Sequence, residues 1–266
     1  MKNITETMKT LSIFEMLKKY KIKPIKHFGQ NFLIDKNVLD KIIDAAELTS
    51  QDIVLEIGPG LGILTIELLK GTKKVIAVEK DKKLCEILKT NLKRYKNLKI
   101  INEDILKIKI DKLSNYKVVA NIPYYLTSPL IRKFLEEKNK PSAIILMVQK
   151  EVAQRICASP PHMNLLAIAV QFFAEPKIIS YVSKNSFYPM PKVDSAIIKI
   201  IPKSIPDINT EKFFNLVKRG FASKRKMLKN NIPGIDLEKI GLNPGVRAEN
   251  LPIKDWLKLF HSLNLY

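Results

Sequence analysis

Cysteine is nearly absent from this chain of 266 residues: Cys85 and Cys157 stand far apart, each in an apolar, helix-like context. That excludes a disulfide framework, and both read as reduced core side chains. Histidine is almost as scarce. His27, His162 and His261 are scattered, and no Cys, His or Asp spacing resembles a metal site, so no metal cofactor is expected. Long apolar runs are missing too. The longest, Asn164 to Ala174 with its flanks, is too short and too interrupted to span a bilayer. Met1 to Tyr20 lacks the apolar core of a signal peptide, so a cytoplasmic protein with no membrane contact is expected. Negative charge is short as well. Against 26 Asp and Glu stand 46 Lys and Arg, a net charge of +20. Such an excess fits a polyanionic partner or a lysine-rich proteome in an AT-rich organism, and charge alone does not separate the two.

What is present is a regular alternation. Ile53–Ile57, Lys74–Glu79, Leu98–Asn102, Val118–Ile122 and Ala143–Val148 are short apolar runs rich in β-branched residues. Amphipathic segments separate several of them, Leu61–Lys70 and Asp81–Arg94 among them. Buried runs alternating with helices imply a parallel sheet covered on both faces, an α/β architecture. Lys177–Val182 and Val193–Ile201 read as two further strands, placed to form an antiparallel edge. Val38, Leu39, Ile42, Ile43 and Ala46 recur at helical spacing before the first strand. Beyond Pro202 and Pro206 the texture becomes helical only, with segments at Glu211–Phe221, Lys224–Asn230, Leu237–Ile240 and Ile253–Leu263. Residues 1–202 are therefore expected to form one domain and residues 203–266 a small all-helical one.

The turn after the first strand reads Glu56-Ile-Gly58-Pro-Gly60-Leu-Gly62. Its glycines let the backbone approach a ligand closely, but the dinucleotide fingerprint would need glycine where Ile63 stands. The E-x-G-x-G-x-G spacing instead resembles that of S-adenosylmethionine methyltransferases. Glu79 ends the second strand, where a carboxylate can accept both ribose hydroxyls of an adenosine. Asp104 follows the third, where it can accept from an adenine amino group. Both lie at the carboxyl edge of the proposed sheet, where open α/β folds bind ligands.

The fourth strand runs into Asn121-Ile122-Pro123-Tyr124-Tyr125, which resembles the [DNS]-[IL]-P-[YFW] motif of methyltransferases acting on planar nitrogens. The lone pair of an adenine N6 is delocalised into the ring, so catalysis needs acceptors that hold both amino hydrogens and bring the lone pair to the methyl group. The Asn121 side-chain oxygen and the Ile122 carbonyl suit that role, and Pro123 fixes the backbone that aims them. Tyr124 offers a ring to an extruded base. In the later stretch Ser186-Phe187-Tyr188-Pro189-Met190-Pro191-Lys192-Val193-Asp194-Ser195, Phe187 can supply the opposite wall.

Taken in order, Lys26 to Leu33 (KHFGQNFL), EIGPGLG, the Glu79 and Asp104 strand ends, NIPYY, Gln149 to Arg155 and FYPMPKVDSA closely resemble the ribosomal RNA adenine N6,N6-dimethyltransferases, from about Leu11 to the C-terminus. The resemblance implies a Rossmann-like S-adenosylmethionine methyltransferase fold, with a largely parallel seven-stranded sheet and an RNA-binding helical C-terminal domain. It implies S-adenosylmethionine as methyl donor, bound by Asn31, Leu33, Gly58, Gly60, Glu79 and Asp104 with Asn121 beside the transferred methyl. Asn121, Pro123, Tyr124 and Phe187 would form the catalytic set. One branch of the family dimethylates two adjacent adenosines in the 3′-terminal hairpin of small-subunit (16S) rRNA during assembly of the 30S particle. The other dimethylates one large-subunit (23S) adenosine and confers macrolide resistance. Phe221 to Asn231 and Arg247 to Leu251 resemble the small-subunit branch, whereas Ser159 to Leu166 departs from the glycine-containing segment expected there. A non-catalytic ribosome-assembly factor on the same fold is the reading from another class, and a monomer is the expected state. Lys218, Arg219, Lys224, Arg225, Lys226 and Lys229 crowd the C-terminal helices and read either as a phosphate-contacting patch or as a solvated lysine-rich face.

Overall fold

The computed structural model describes residues 13–24, 30–111 and 113–263. They group into two compact units: residues up to 153 with 177–202, and residues 154–176 with those from 203 onward.

The first unit is built on a seven-stranded sheet. Its elements in chain order are α1 (Ile13–Lys19), β1 (Phe32–Leu33), α2 (Lys36–Ala46), β2 (Ile53–Ile57), α3 (Ile63–Gly71), β3 (Lys74–Glu79), α4 (Lys82–Asn91), β4 (Leu98–Asn102), β5 (Tyr116–Asn121), α5 (Thr127–Glu136), β6 (Ala143–Gln149) and the start of α6 (Lys150–Ile156). After α7 (Leu165–Phe173) come β7 (Ala174–Val182), β8 (Phe187–Tyr188) and β9 (Ser195–Pro202). The strand order is β4-β3-β2-β5-β6-β9-β7. β2 is parallel to β3 and β5, as is β3 to β4 and β5 to β6. β9 lies antiparallel to β6, with Leu146 opposite Ile198. This is the expected doubly wound sheet with an antiparallel edge.

The central strands are mostly apolar because both faces are covered: Val54, Val75, Val118, Val119 and Ile144 to Val148 have almost no exposed surface. Val38, Leu39 and Ile42 of α2 bury one stripe in the same core. Polar caps fix where helices start. Asp35 accepts from the Asn37 amide at 2.9 Å ahead of α2, and Asp81 accepts from those of Lys83 and Leu84 ahead of α4.

A feature invisible in the strand pattern is a two-stranded ribbon in which β1 runs antiparallel to β8, pairing Phe32 with Tyr188 and Leu33 with Phe187. It ties the N-terminal segment to the loop ahead of β9. The Ile34 amide donates to the Ser186 carbonyl at 2.9 Å, and the Ser186 hydroxyl to Asp35 Oδ2 at 2.9 Å.

The second unit holds α7, α8 (Thr210–Gly220), α9 (Leu228–Asn231) and α10 (Ile253–Ser262), with short 3-10 turns at Glu238–Ile240 and Ala248–Asn250. Chain order suggested a boundary at residue 202, but residues 154–176 also belong to this unit. The reason is aromatic packing: Phe172 and Phe173 of α7 lie against Phe213 and Phe214 of α8, with ring centroids 4.8 to 6.0 Å apart. The main chain is tied too, since the Met163 amide donates to the Glu249 carbonyl at 2.9 Å. The six basic residues noted from the sequence are all exposed here.

Candidate active site

The order of strands reverses between β2 and β5, which opens a crevice at their carboxyl ends. Gly58 follows β2 and Asn121 ends β5 beside it. A side chain at Gly58 would lie 4.0 Å from the Asn121 carbonyl oxygen, and Gly58 has φ +66°. Gly60 has φ +58°, and a Cβ there would press on the Phe32 ring at 3.3 Å. Only glycine accepts both constraints without strain. The turn then enters α3 at Gly62.

A cavity of about 260 Å³ lies over these strand ends. Asn31, Leu33, Gly58, Gly60, Glu79, Asp104, Asn121, Pro123, Tyr124 and Phe187 all line it. Every site residue expected from the sequence is therefore brought to one place, from strands and loops that span more than half the chain. Lys26 to Gly29 of the N-terminal motif lie outside the described residues.

The acidic side of the cavity has a defined electrostatic structure. Glu79 is buried, and its carboxylate accepts from the Gly60 amide at 3.1 Å and the Asp81 amide at 2.9 Å. Burial raises its pKa, and those amides pull the other way. Asp104 accepts from the Leu106 amide through Oδ1 and pairs with Lys80 through Oδ2, both at 3.0 Å. Partial burial acts to raise its pKa, but the Leu106 amide and the Lys80 ammonium outweigh it and hold the carboxyl below its usual range.

Glu56, the first residue of the glycine motif, is fully buried in the cavity wall, with no hydrogen-bond partner for either oxygen. Burial raises its pKa to about 8, the Thr65 hydroxyl opposes this, and the Glu79 carboxylate adds to the rise. An unpartnered carboxyl at the end of a ligand cavity is the group that a cationic ligand head would relieve. Together with the hydroxyl-accepting Glu79 and the glycine cradle, it makes the cavity fit S-adenosylmethionine.

The opposite side is aromatic. Pro123 has φ −55° and leads into a 3-10 turn at Tyr124–Leu126 closed by the Leu126 amide on the Pro123 carbonyl at 3.0 Å. The Tyr124 hydroxyl and the buried Ser195 hydroxyl share a hydrogen bond of 2.8 Å. Burial raises the Tyr124 pKa, the Ser195 bond lowers it and Asp194 raises it, with a net upward shift that keeps the phenol neutral. Phe187 is 3% exposed and reaches the cavity from β8. The loop behind it is stapled by Asp194, whose Oδ1 accepts from the Lys184 amide and whose carbonyl accepts from the Lys150 amide, both at 3.0 Å.

Three contributors escaped the sequence reading. Glu56 was legible as the start of the motif, but its isolation is set by packing. Lys80 follows Glu79 and carried no signal of its own. Ser195 closes the stretch that contains Phe187, yet its partner is 71 residues away.

A doubly wound sheet with a glycine turn, strand-end carboxylates and an Asn-Ile-Pro-Tyr corner in one cavity defines an S-adenosylmethionine-dependent methyltransferase. A family model described as "Ribosomal RNA adenine dimethylase" matches residues 22–265, and the chain belongs to that family. The protein named "Ribosomal RNA small subunit methyltransferase A" from Dehalococcoides mccartyi is 44% identical, with 92% of this chain and 90% of that protein covered. Among solved structures, a dimethyladenosine transferase from Plasmodium falciparum is 34% identical with a TM-score of 0.78, covering 88% of this chain and 97% of that one. The 23S rRNA methyltransferase ErmE is 26% identical with a TM-score of 0.76, covering 88% of this chain and 100% of that one.

Proposed function

We propose that this chain dimethylates N6 of two adjacent adenosines in the 3′-terminal hairpin of small-subunit (16S) rRNA. On this reading it acts as a monomer in the cytoplasm, on an assembling 30S particle. The observation that carries the choice of branch is the 44% identity, over nearly the full chain, to a small-subunit rRNA methyltransferase. Likeness to the 23S enzyme is weaker in sequence at almost the same coverage. The helical unit, with Lys218, Arg219, Lys224, Arg225, Lys226 and Lys229 exposed, would hold rRNA phosphates without reading bases.

When bound, S-adenosylmethionine supplies a methyl group on a positively charged sulfur. Glu79 would accept its ribose hydroxyls, since each oxygen keeps a lone pair beyond the Gly60 and Asp81 amides. Asp104 would accept from its adenine amino group, and Asn31, Leu33, Gly58 and Gly60 would close around it. Tyr124 and Phe187 would clamp the extruded target base. Asn121 Oδ1 and the Ile122 carbonyl would accept the two amino hydrogens and turn the nitrogen lone pair towards the methyl. No strong base is required, because the methylated nitrogen is acidic and gives its proton to water.

The test is to incubate the protein with labelled S-adenosylmethionine and, in parallel, undermethylated 30S particles and protein-free 23S rRNA, then map the modified adenines. Dimethyladenosine at both neighbouring positions of the small-subunit hairpin is expected. Label in 23S rRNA alone would overturn the choice of branch. Asn121→Ala should lower the rate by at least about a hundredfold, in line with the loss of one transition-state partner, and a variant at the normal rate would refute the mechanism.

A further inference from the structure

Tyr124 and Phe187 would clamp one base at a time, whereas two adjacent adenosines are the target in our reading, on which the following rests. When one is in the cavity the other is just outside it. Next in the chain to two residues that line the cavity, two aromatic rings are exposed. Phe14 is 51% and Tyr188 39% exposed, although the two rings touch edge to face with centroids 4.7 Å apart and an interplanar angle of 62°. Each sits one residue from the cavity lining on a separate element. Ile13 of α1 and Phe187 of β8 line the cavity, and Phe14 and Tyr188 are their immediate chain neighbours. Successive side chains of a strand point to opposite faces, so Phe187 turned into the cavity puts Tyr188 on the outer side of the β1–β8 ribbon.

Two adjoining rings left in water are an unfavourable arrangement that a flat apolar partner would relieve, and exposed rings beside cationic groups are how proteins hold unpaired nucleotides. Two exposed lysines stand close in the chain to these rings: Lys18, one helical turn after Phe14 on α1, and Lys192, four residues after Tyr188. The chain as a whole carries a net charge of +20. We infer that the Phe14–Tyr188 pair is a stacking platform for the nucleobase next to the one being methylated. It holds that neighbour unstacked from the target, so that the two adenosines can exchange places between rounds without release of the rRNA.

The experiment uses the full chain and undermethylated 30S particles carrying 2-aminopurine at the position of the second adenosine. Wild type is expected to quench that fluorophore on binding, and Phe14→Ala and Tyr188→Ala to lose the quench. Both alanine variants should raise the KM for particles about tenfold, the scale of one lost base–aromatic stack. On unlabelled particles, which keep both N6 amines, the alanine variants should also release rRNA modified at only one of the two adenosines, with cofactor affinity unchanged. Tyr188→Phe, which keeps the ring, should behave as wild type. Wild-type kinetics and quenching in both alanine variants would overturn the proposal. So would a rise in KM with the quench intact, which points to a ribosomal protein on the platform, or a fall in cofactor affinity, which points to a scaffold role. If wild type methylates 23S rRNA alone, the choice of branch fails, and the platform is judged by the same quench and KM on that RNA.

Discussion

Removing the Ser195 hydroxyl isolates the part of the site that orients Tyr124. Ser195 has no exposed surface and stands at the start of β9, paired across the sheet with Gln149. Its bond to the Tyr124 hydroxyl joins the Asn-Ile-Pro-Tyr corner to the strand that follows the Phe187 loop. A neutral hydrogen bond of this kind contributes about 1 kcal/mol net, and Tyr124 is only half-buried, so water can replace the lost partner in part. Ser195→Ala should therefore lower kcat/KM for rRNA by roughly fivefold, which corresponds to about 1 kcal/mol, and leave cofactor affinity unchanged. Tyr124→Phe keeps the ring and removes the same bond from the other side. If the bond acts by aiming the ring, the double variant should be no worse than either single one, with a coupling energy of about 1 kcal/mol in a double-mutant cycle. Rates measured on 30S particles, with quenching of 2-aminopurine at the target position as a second readout, give the answer. Effects that simply add would show that the two hydroxyls act independently and would refute this account of Tyr124.

The buried Glu56 makes a pH prediction. Its pKa lies near 8 against an ordinary 4.5, so between those values the unfolded chain gives up a proton that the folded chain keeps. Folding stability without cofactor should then fall as pH rises from about 4.5 to about 8 and level off above, by an amount on the order of a few kcal/mol. Glu56→Gln should flatten that decline in urea denaturation, and parallel curves for the two proteins would contradict it. In the helical unit, Gly220 packs on the Trp256 ring so closely that any Cβ would overlap it. Gly220→Ala should cost that unit about 3 kcal/mol through overpacking. The only tryptophan of the chain reports on it directly, so an unchanged fluorescence-detected midpoint would count against the packing described.

Much of the fold was legible because burial on both faces leaves a plain signature. Ile53–Ile57, Lys74–Glu79 and Leu98–Asn102 are strands over the residues that their β-branched runs suggested. The C-terminal segment read as helical over Lys224–Asn230 is helical only over Leu228–Asn231, since a run of lysines shows polarity without showing where hydrogen bonding begins. The β1–β8 ribbon was not legible at all. Two residues on each side carry no periodicity, and their pairing joins Phe32 to Tyr188 across most of the chain. The aggregation of residues 154–176 with the C-terminal helices was hidden for a related reason: Phe172 and Phe213 announce apolar helices, but which apolar faces meet is decided in three dimensions.

At the site, residue types and their order were readable, while energetic relations were not. Glu79 and Asp104 look alike in sequence as acidic residues near strand ends, yet the structure drives them apart: burial raises one, and an amide with Lys80 lowers the other. Glu56 and Glu79 both sit in the cavity wall and both are raised by burial; the Glu79 carboxylate adds to the rise at Glu56, where only the Thr65 hydroxyl opposes it. A fold that needed only stability would replace Glu56 with an apolar side chain of similar volume, since unpaired buried carboxyls are costly. The unfavourable group persists at the cavity end of β2, beside glycines in left-handed conformations that add nothing to stability either. A buried carboxyl beside a glycine-only turn at the carboxyl end of the sheet is what a binding site for a cationic, hydroxyl-bearing ligand requires. The cofactor end thus carries a buried carboxyl that a cationic ligand would relieve, whereas at the aromatic end Tyr124 is hydrogen-bonded to Ser195 and Phe187 is paired in the ribbon. On that division, cofactor binding should raise folding stability most at a pH where Glu56 would otherwise be costly to ionise, and base binding should act on the rings that it touches.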